Sequence, residues 1–401
     1  MPALLLTLLV GCAGSTDGKS SGGDADPADS GADDGAEGAD GAAVDIEPLG
    51  LNDVSVLFPK PPTYAAPGYL LPSSVGAHGE LLPRSIFEAV PVFGAVPADA
   101  LTWPLLTVVS ARVDACAGPA GACDPELRLV LQPVEEAGRV RDSALHVFYH
   151  LEADEIDALV AGLRGLRALA PEARVDGPLE VHPALVAQGV EGAYGEALRA
   201  LLFEHIGADR IRRVTFFLRA PPATPVWFMG GFEVEGGALT ALDILNVGPD
   251  TQQVILDQSS GGYVYDVNPP AGRPEDGALL LSSAAVAAAS EGELAEVMGS
   301  YLRVDDPLTY RPDDLPCAGC HLSTFVQHAA AEARGLSLGP TATDGFSTAR
   351  DLSLTGGAAA EPVSLRAFGY FDETPMISQR TVNETAAVVD DIEARGIGAA
   401  R

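Results

Sequence analysis

Lysine is nearly missing from this chain: it occurs at Lys19 and Lys60, and arginine supplies the rest of the 24 basic residues. Against them stand 56 acidic residues, a formal net charge of -32. That balance excludes the clustered positive charge that nucleic-acid binding requires, and with it an electrostatic grip on an anionic bilayer. No apolar run reaches the length of a membrane-spanning helix. Sulfur is also scarce, with five cysteines and four methionines, so thiol and thioether chemistry is confined to a few positions. What the chain does hold is a hydrophobic fraction of 47%, ample for real cores. Its 401 residues predict two domains plus tails.

The N-terminal end reads as an address and a tether. Residues 3–10 form a short apolar run, followed by Gly11-Cys12. Leu9-Val10-Gly11-Cys12 resembles the lipobox of bacterial lipoproteins, although no Lys or Arg precedes the apolar run as in a usual signal. The resemblance implies cleavage before Cys12, acylation of that cysteine, and lasting attachment through several acyl chains. Ala13 rather than an aspartate follows, which by the family's sorting rule implies the outer membrane of a Gram-negative cell, facing the periplasm or the surface. Residues 13–47 are mostly Gly, Ser, Ala and Asp, with ten acidic residues against Lys19. Such a composition does not offset chain entropy, so a disordered acidic linker is expected.

Residues 48–280 mix strand and helix signals. Residues 54–58, 107–113, 126–134, 144–149, 211–218, 226–234 and 252–257 read as strands, rich in β-branched and apolar residues. Residues 153–170 read as a helix, with Ile156, Leu159, Val160, Leu163 and Leu166 at helical spacing; residues 190–205 are a second. Runs of strands and helices without strict alternation predict an α+β domain with a largely antiparallel sheet. Cys116 and Cys123 flank a small Gly/Ala/Pro loop between two strands, the pattern of a local disulfide in an exported protein. His146 and His150, four apart on one strand, share a face but stand ~13 Å apart. They and His182 leave a copper or zinc site as one reading and structural histidines as the other. Residues 126–133, 145–149 and 181–183 resemble uncharacterised Gram-negative lipoproteins, a likeness that carries no activity.

The C-terminal stretch is organised around Cys317-Ala318-Gly319-Cys320-His321. Two cysteines three apart on a helical turn face the same way. The spacing is the attachment signature of c-type haem, in which both thiols bond the porphyrin and the adjacent histidine ligates iron. Around it, Ser290 and Glu293 form a capping box for one helix. The motif opens a second helix ending at Gly335, and Ser378 caps a third whose buried face is Val382, Ala386, Val389 and Ile392. Helix, motif, long loop, methionine and last helix follow the order of class I cytochromes c. The resemblance spans about residues 285–401 and implies a small all-α domain around one covalent haem. By it Cys317 and Cys320 hold the haem, His321 is the proximal iron ligand, and Met376, in the loop before the last helix, is the distal one. Arg366 and Tyr370 become partners for the propionates. His328 shares a helix face with His321 but lies ~10 Å further along.

Three functions follow. The first is a lipid-anchored periplasmic or outer-membrane cytochrome passing single electrons to a redox partner. The second is an oxidoreductase whose haem serves a further site in the α+β domain. The third is a sensory or structural lipoprotein whose haem is open for a small ligand or whose motif is only a disulfide; half of a zinc site is a further reading of the motif itself.

Overall fold

The computed structural model describes residues 48–94, 101–117, 124–174, 176–220, 225–259, 261–268, 277–336, 345–357 and 365–399. Its frame is an antiparallel sheet of nine strands among these residues. In chain order they are β1 (Ser55–Leu57), β2 (Leu106–Ala117), β3 (Asp124–Pro133), β4 (Ala144–His150), β5 (Ile211–Ala220), β6 (Val226–Glu235), β7 (Ala238–Ala241), β8 (Gln252–Asp257) and β9 (Val264–Asn268). The spatial order is β1-β2-β3-β4-β5-β6-β8-β9, with β7 paired to β6. Strands β2 to β6 therefore neighbour one another in sequence order, as an antiparallel meander does, and the α+β expectation holds. The short strand β7 was not expected; it follows a Gly236-Gly237 turn with both φ values positive, +55° and +84°, the conformation two-residue hairpins need.

The register gives the two faces opposite characters. One face carries Ala111, Leu129, Val147, Val214 and Phe232, in line across β2 to β6. All are buried in one core. Helices α1 (Ala153–Leu166) and α2 (Ala193–His205) contribute Ile156, Leu159, Val160, Leu198 and Leu202 to that same core. Helix α1 starts where Glu152 N–H donates to the Glu155 carboxylate at 2.7 Å, satisfying one otherwise orphaned terminal group. The other face carries Arg112, Arg128, Phe148 and Arg213 in one row and Val130, His146, Thr215 and Gly231 in the next. Polar residues in the middle of a sheet require a partner layer that is itself polar.

That layer is the C-terminal stretch. Helix α3 (Glu291–Val304) has the expected capping box, with Ser290 N–H donating to Glu293 at 2.9 Å. Helix α4 (Cys317–Arg334) begins at the haem motif and stops at Gly335, whose φ of +61° suits a glycine. A hairpin follows, β10 (Phe368–Phe371) with β11 (Thr374–Ile377), and then α5 (Gln379–Arg395), capped by the Ser378 hydroxyl.

Packing among the described residues crosses the expected division at 280–285. Residues 46–401 form one compact unit. The buried stripe of α5 (Val382, Ala386, Val389, Ile392) belongs to the core that holds Leu129 and Leu159. Likewise Leu322, Phe325 and Val326 of α4 share a core with Trp227, Met229 and Val254 of the sheet. The stretch is also not all-α, because residues expected as loop form the β10–β11 hairpin. Its tight turn places Asp372 at φ +54°, a conformation Asp tolerates.

Candidate functional site

The motif sits where α4 meets the polar face of the sheet. The Ala318 N–H donates to the Gln252 side chain of β8 at 2.7 Å, which pins the first turn of the helix. Cys317 and Cys320 are free, half-buried thiols. Burial pushes Cys317 up to about 11 and Cys320 up to about 12. That is opposite to the lowered thiol of a redox-active Cys-x-x-Cys. The motif also follows a 3-10 turn, Pro312–Asp314, rather than a parallel strand, so the thioredoxin-like frame is not built here.

His321 is held on two sides. Its ring stacks on Phe217 of β5, with centroids 5.1 Å apart and planes 4° from parallel. Its Nδ1 lies 2.6 Å from the Leu365 carbonyl oxygen. A carbonyl only accepts, so Nδ1 carries the hydrogen. Burial lowers the imidazole to about 4 against the raising effect of that bond, with nearby Arg366 lowering it further. The ring is therefore neutral at pH 7 with its lone pair on Nε2. Neutral imidazole with Nδ1 donating to a carbonyl and Nε2 free is the donor state of a metal-ligating histidine.

Around this point the buried charges are paired. Arg366 donates to Asp142 at 3.4 Å, and the Trp227 indole N–H donates to the same carboxylate at 2.9 Å. Glu384 of α5 receives Arg112 at 3.1 Å and Arg380 at 2.6 Å. Asp305 receives the Ser323 hydroxyl and the Gln327 amide of α4. Arg380 and Glu384 couple electrostatically to Cys320 and also line a cavity of about 280 Å³ with Arg128, Arg213, Glu126 and Arg311.

The other expected positions are placed as follows. Met376 lies on β11 rather than in a loop, with no exposed surface. Its thioether packs 3.4 Å from where a side chain on Gly357 would begin. Arg366 is committed to Asp142, and the Tyr370 hydroxyl donates to the Phe58 carbonyl at 2.7 Å; neither is a free surface partner for a propionate. His328 lines a separate cavity of about 490 Å³ with Asp305, Phe346 and Asn383. His150 ends the strand that carries His146 and lies 3.6 Å from Glu152. His182 is fully buried with Nε2 3.0 Å from the Tyr194 hydroxyl, the arrangement of a structural histidine. Among the described residues, no group of three or more His, Cys, Asp and Glu is arranged to hold a metal ion unaided. Cys116 is the next-to-last residue of β2. Cys12 and Cys123 lie outside the described residues. No helix among the described residues is long and apolar enough to cross a membrane.

The polar sheet face under α4 was missed in the sequence. The signal is the alternation in residues 126–132, where Glu126, Arg128 and Gln132 interleave with Leu127, Leu129 and Leu131. Alternation shows two faces but does not say that the polar one is covered. Comparison with known proteins adds no relative: no family model, no curated protein and no solved structure matches this chain.

Proposed function

We propose that the chain is a c-type haem protein, anchored to the outer membrane through lipid on Cys12, whose work is single-electron transfer. The observation that carries this reading is the state of His321, one residue after two free thiols a helical turn apart: Nδ1 bonded to Leu365, Nε2 left with its lone pair. The residues fit the group. Cys317 and Cys320 would hold the haem through thioether bonds, and His321 would ligate its iron through Nε2. Gln252 holds the helix start that carries them, and the Leu365 carbonyl orients the imidazole. Bound haem c supplies an iron that gains and loses one electron. The bond between Cys116 and Cys123 is part of the same proposal, as a local staple in an exported protein.

The test is whether haem remains after denaturation. Protein exported from a host with haem-attachment machinery should keep haem through acid and organic extraction, and on a denaturing gel. Its mass should exceed that of the apoprotein by one haem. Changing both Cys317 and Cys320 to alanine should remove the signal. A mass equal to the apoprotein would overturn the reading.

A further inference from the structure

We infer that the cavity between α3, α4 and α5 is a binding site for a small, neutral, hydroxyl-rich molecule of the sugar class. The site is lined by none of the haem-motif residues, and the inference does not rest on the haem reading.

The cavity has a volume of about 490 Å³, within the range of small-molecule sites. Its walls are joined to one another. The Gln379 N–H that starts α5 donates to the Thr324 hydroxyl of α4 at 2.9 Å. The Asn383 side-chain nitrogen of α5 donates to the carbonyl of Asp305, which follows α3, at 2.8 Å.

The hydrogen-bonding capacity left over on these walls points to the ligand. Burial raises the Asp305 carboxyl only to about 6, so at pH 7 it is ionised and only accepts. The Gln327 amide must therefore turn its nitrogen to Asp305, at 2.7 Å. Its Oε1 is left without a partner among the described residues, on a side chain only 3% exposed. The second amide is fixed by the same logic. Asn383 spends its nitrogen on the Asp305 carbonyl, so its oxygen accepts from Gln379 Nε2 at 2.9 Å. The same nitrogen also donates to the Leu352 carbonyl at 3.2 Å, which uses both of its hydrogens. Gln379 Oε1 is then unspent as well. His328 is half-buried and hydrogen-bonded to no described residue. Burial lowers its imidazole below the ordinary value, so at pH 7 the ring is neutral and offers one donor and one acceptor.

The lining charges, by contrast, are already committed. The Asp305 carboxylate accepts from Ser323 and Gln327, and Arg350 donates to Asp390 at 2.7 Å. Asp351 is exposed and accepts the Ser353 N–H. A charged ligand would lose its hydration here without gaining a free counter-charge. Neutral acceptors instead call for neutral donors, which hydroxyl groups supply. Phe346 and Leu302 add apolar surface for the C–H face of a ring.

The experiment uses the full chain and saturation-transfer NMR with glucose, galactose, maltose and trehalose, and with glucosamine and glucuronate as charged counterparts. At least one neutral sugar should show transfer at millimolar concentration, and glucosamine and glucuronate should bind more weakly than glucose. His328→Leu breaks no hydrogen bond of the fold and should weaken binding about tenfold. Ser347→Trp, at an exposed lining position, should block the space and abolish transfer. Both variants should unfold at the wild-type denaturant midpoint. No transfer to any neutral sugar overturns the inference. So does tighter binding of either charged sugar, or unchanged binding in either variant.

Discussion

Arg112 on β2 donates to Glu384 on α5 at 3.1 Å, an ion pair between residues 272 positions apart in the chain. Next to it the Ser55 and Thr385 hydroxyls are 2.7 Å apart. The last helix is thereby tied to the first two strands of the sheet, and the haem motif lies between them in sequence.

Glu384→Gln should destabilise the protein by about 3 kcal/mol at pH 7, since it breaks a buried pair and leaves guanidinium charge behind. Burial alone would raise the Glu384 carboxyl, but Arg380, Arg112 and Arg128 override it and hold it down at about 2, against an ordinary 4.5. The folded value lies below the unfolded one. The stabilisation is therefore complete above about pH 4.5 and fades as pH falls towards 2. Denaturant titrations of both proteins at pH 7 and pH 3 check this. A gap as wide at pH 3 as at pH 7 would refute it.

Residues 285–401 made alone should not fold, and the whole chain should unfold in one transition. Val382, Ala386, Val389 and Ile392 have no exposed surface in the intact protein, and their partners are sheet residues the fragment lacks. Calorimetry of the whole chain and amide spectra of the fragment measure both. Two separated transitions, or a dispersed fragment spectrum, would restore an independent C-terminal domain.

Trp227→Phe should cost roughly 2–4 kcal/mol. The side chain is fully buried, and its loss combines a small cavity with a missing hydrogen bond to a carboxylate. Asp142 would keep Arg366 but lose the indole. Urea unfolding gives the value; a change under 1 kcal/mol would mean the site collapses around the smaller ring.

Cys12→Ser should move the exported protein from the membrane fraction to the soluble one. The expectation comes from acyl chains as the attachment. Retention in membranes under high salt would rule out the lipid anchor.

Some of this was plain in the residues. The strand and helix runs, the caps at Ser290 and Ser378, and the stop at Gly335 are local effects of spacing and backbone preference, and they appear where expected. The haem motif is local too, because two thiols and an imidazole within five residues need only one helical turn. The layer into which that turn is set is not local. Nothing in residues 379–395 says whether their apolar stripe faces α4 or the sheet, since both would bury it. The Leu365 carbonyl and Phe217 meet His321 across 44 and 104 positions of chain. Sequence periodicity determines which face of an element seeks cover. The packing of the whole chain decides what covers it, because that choice is a competition among all the apolar surfaces available at once.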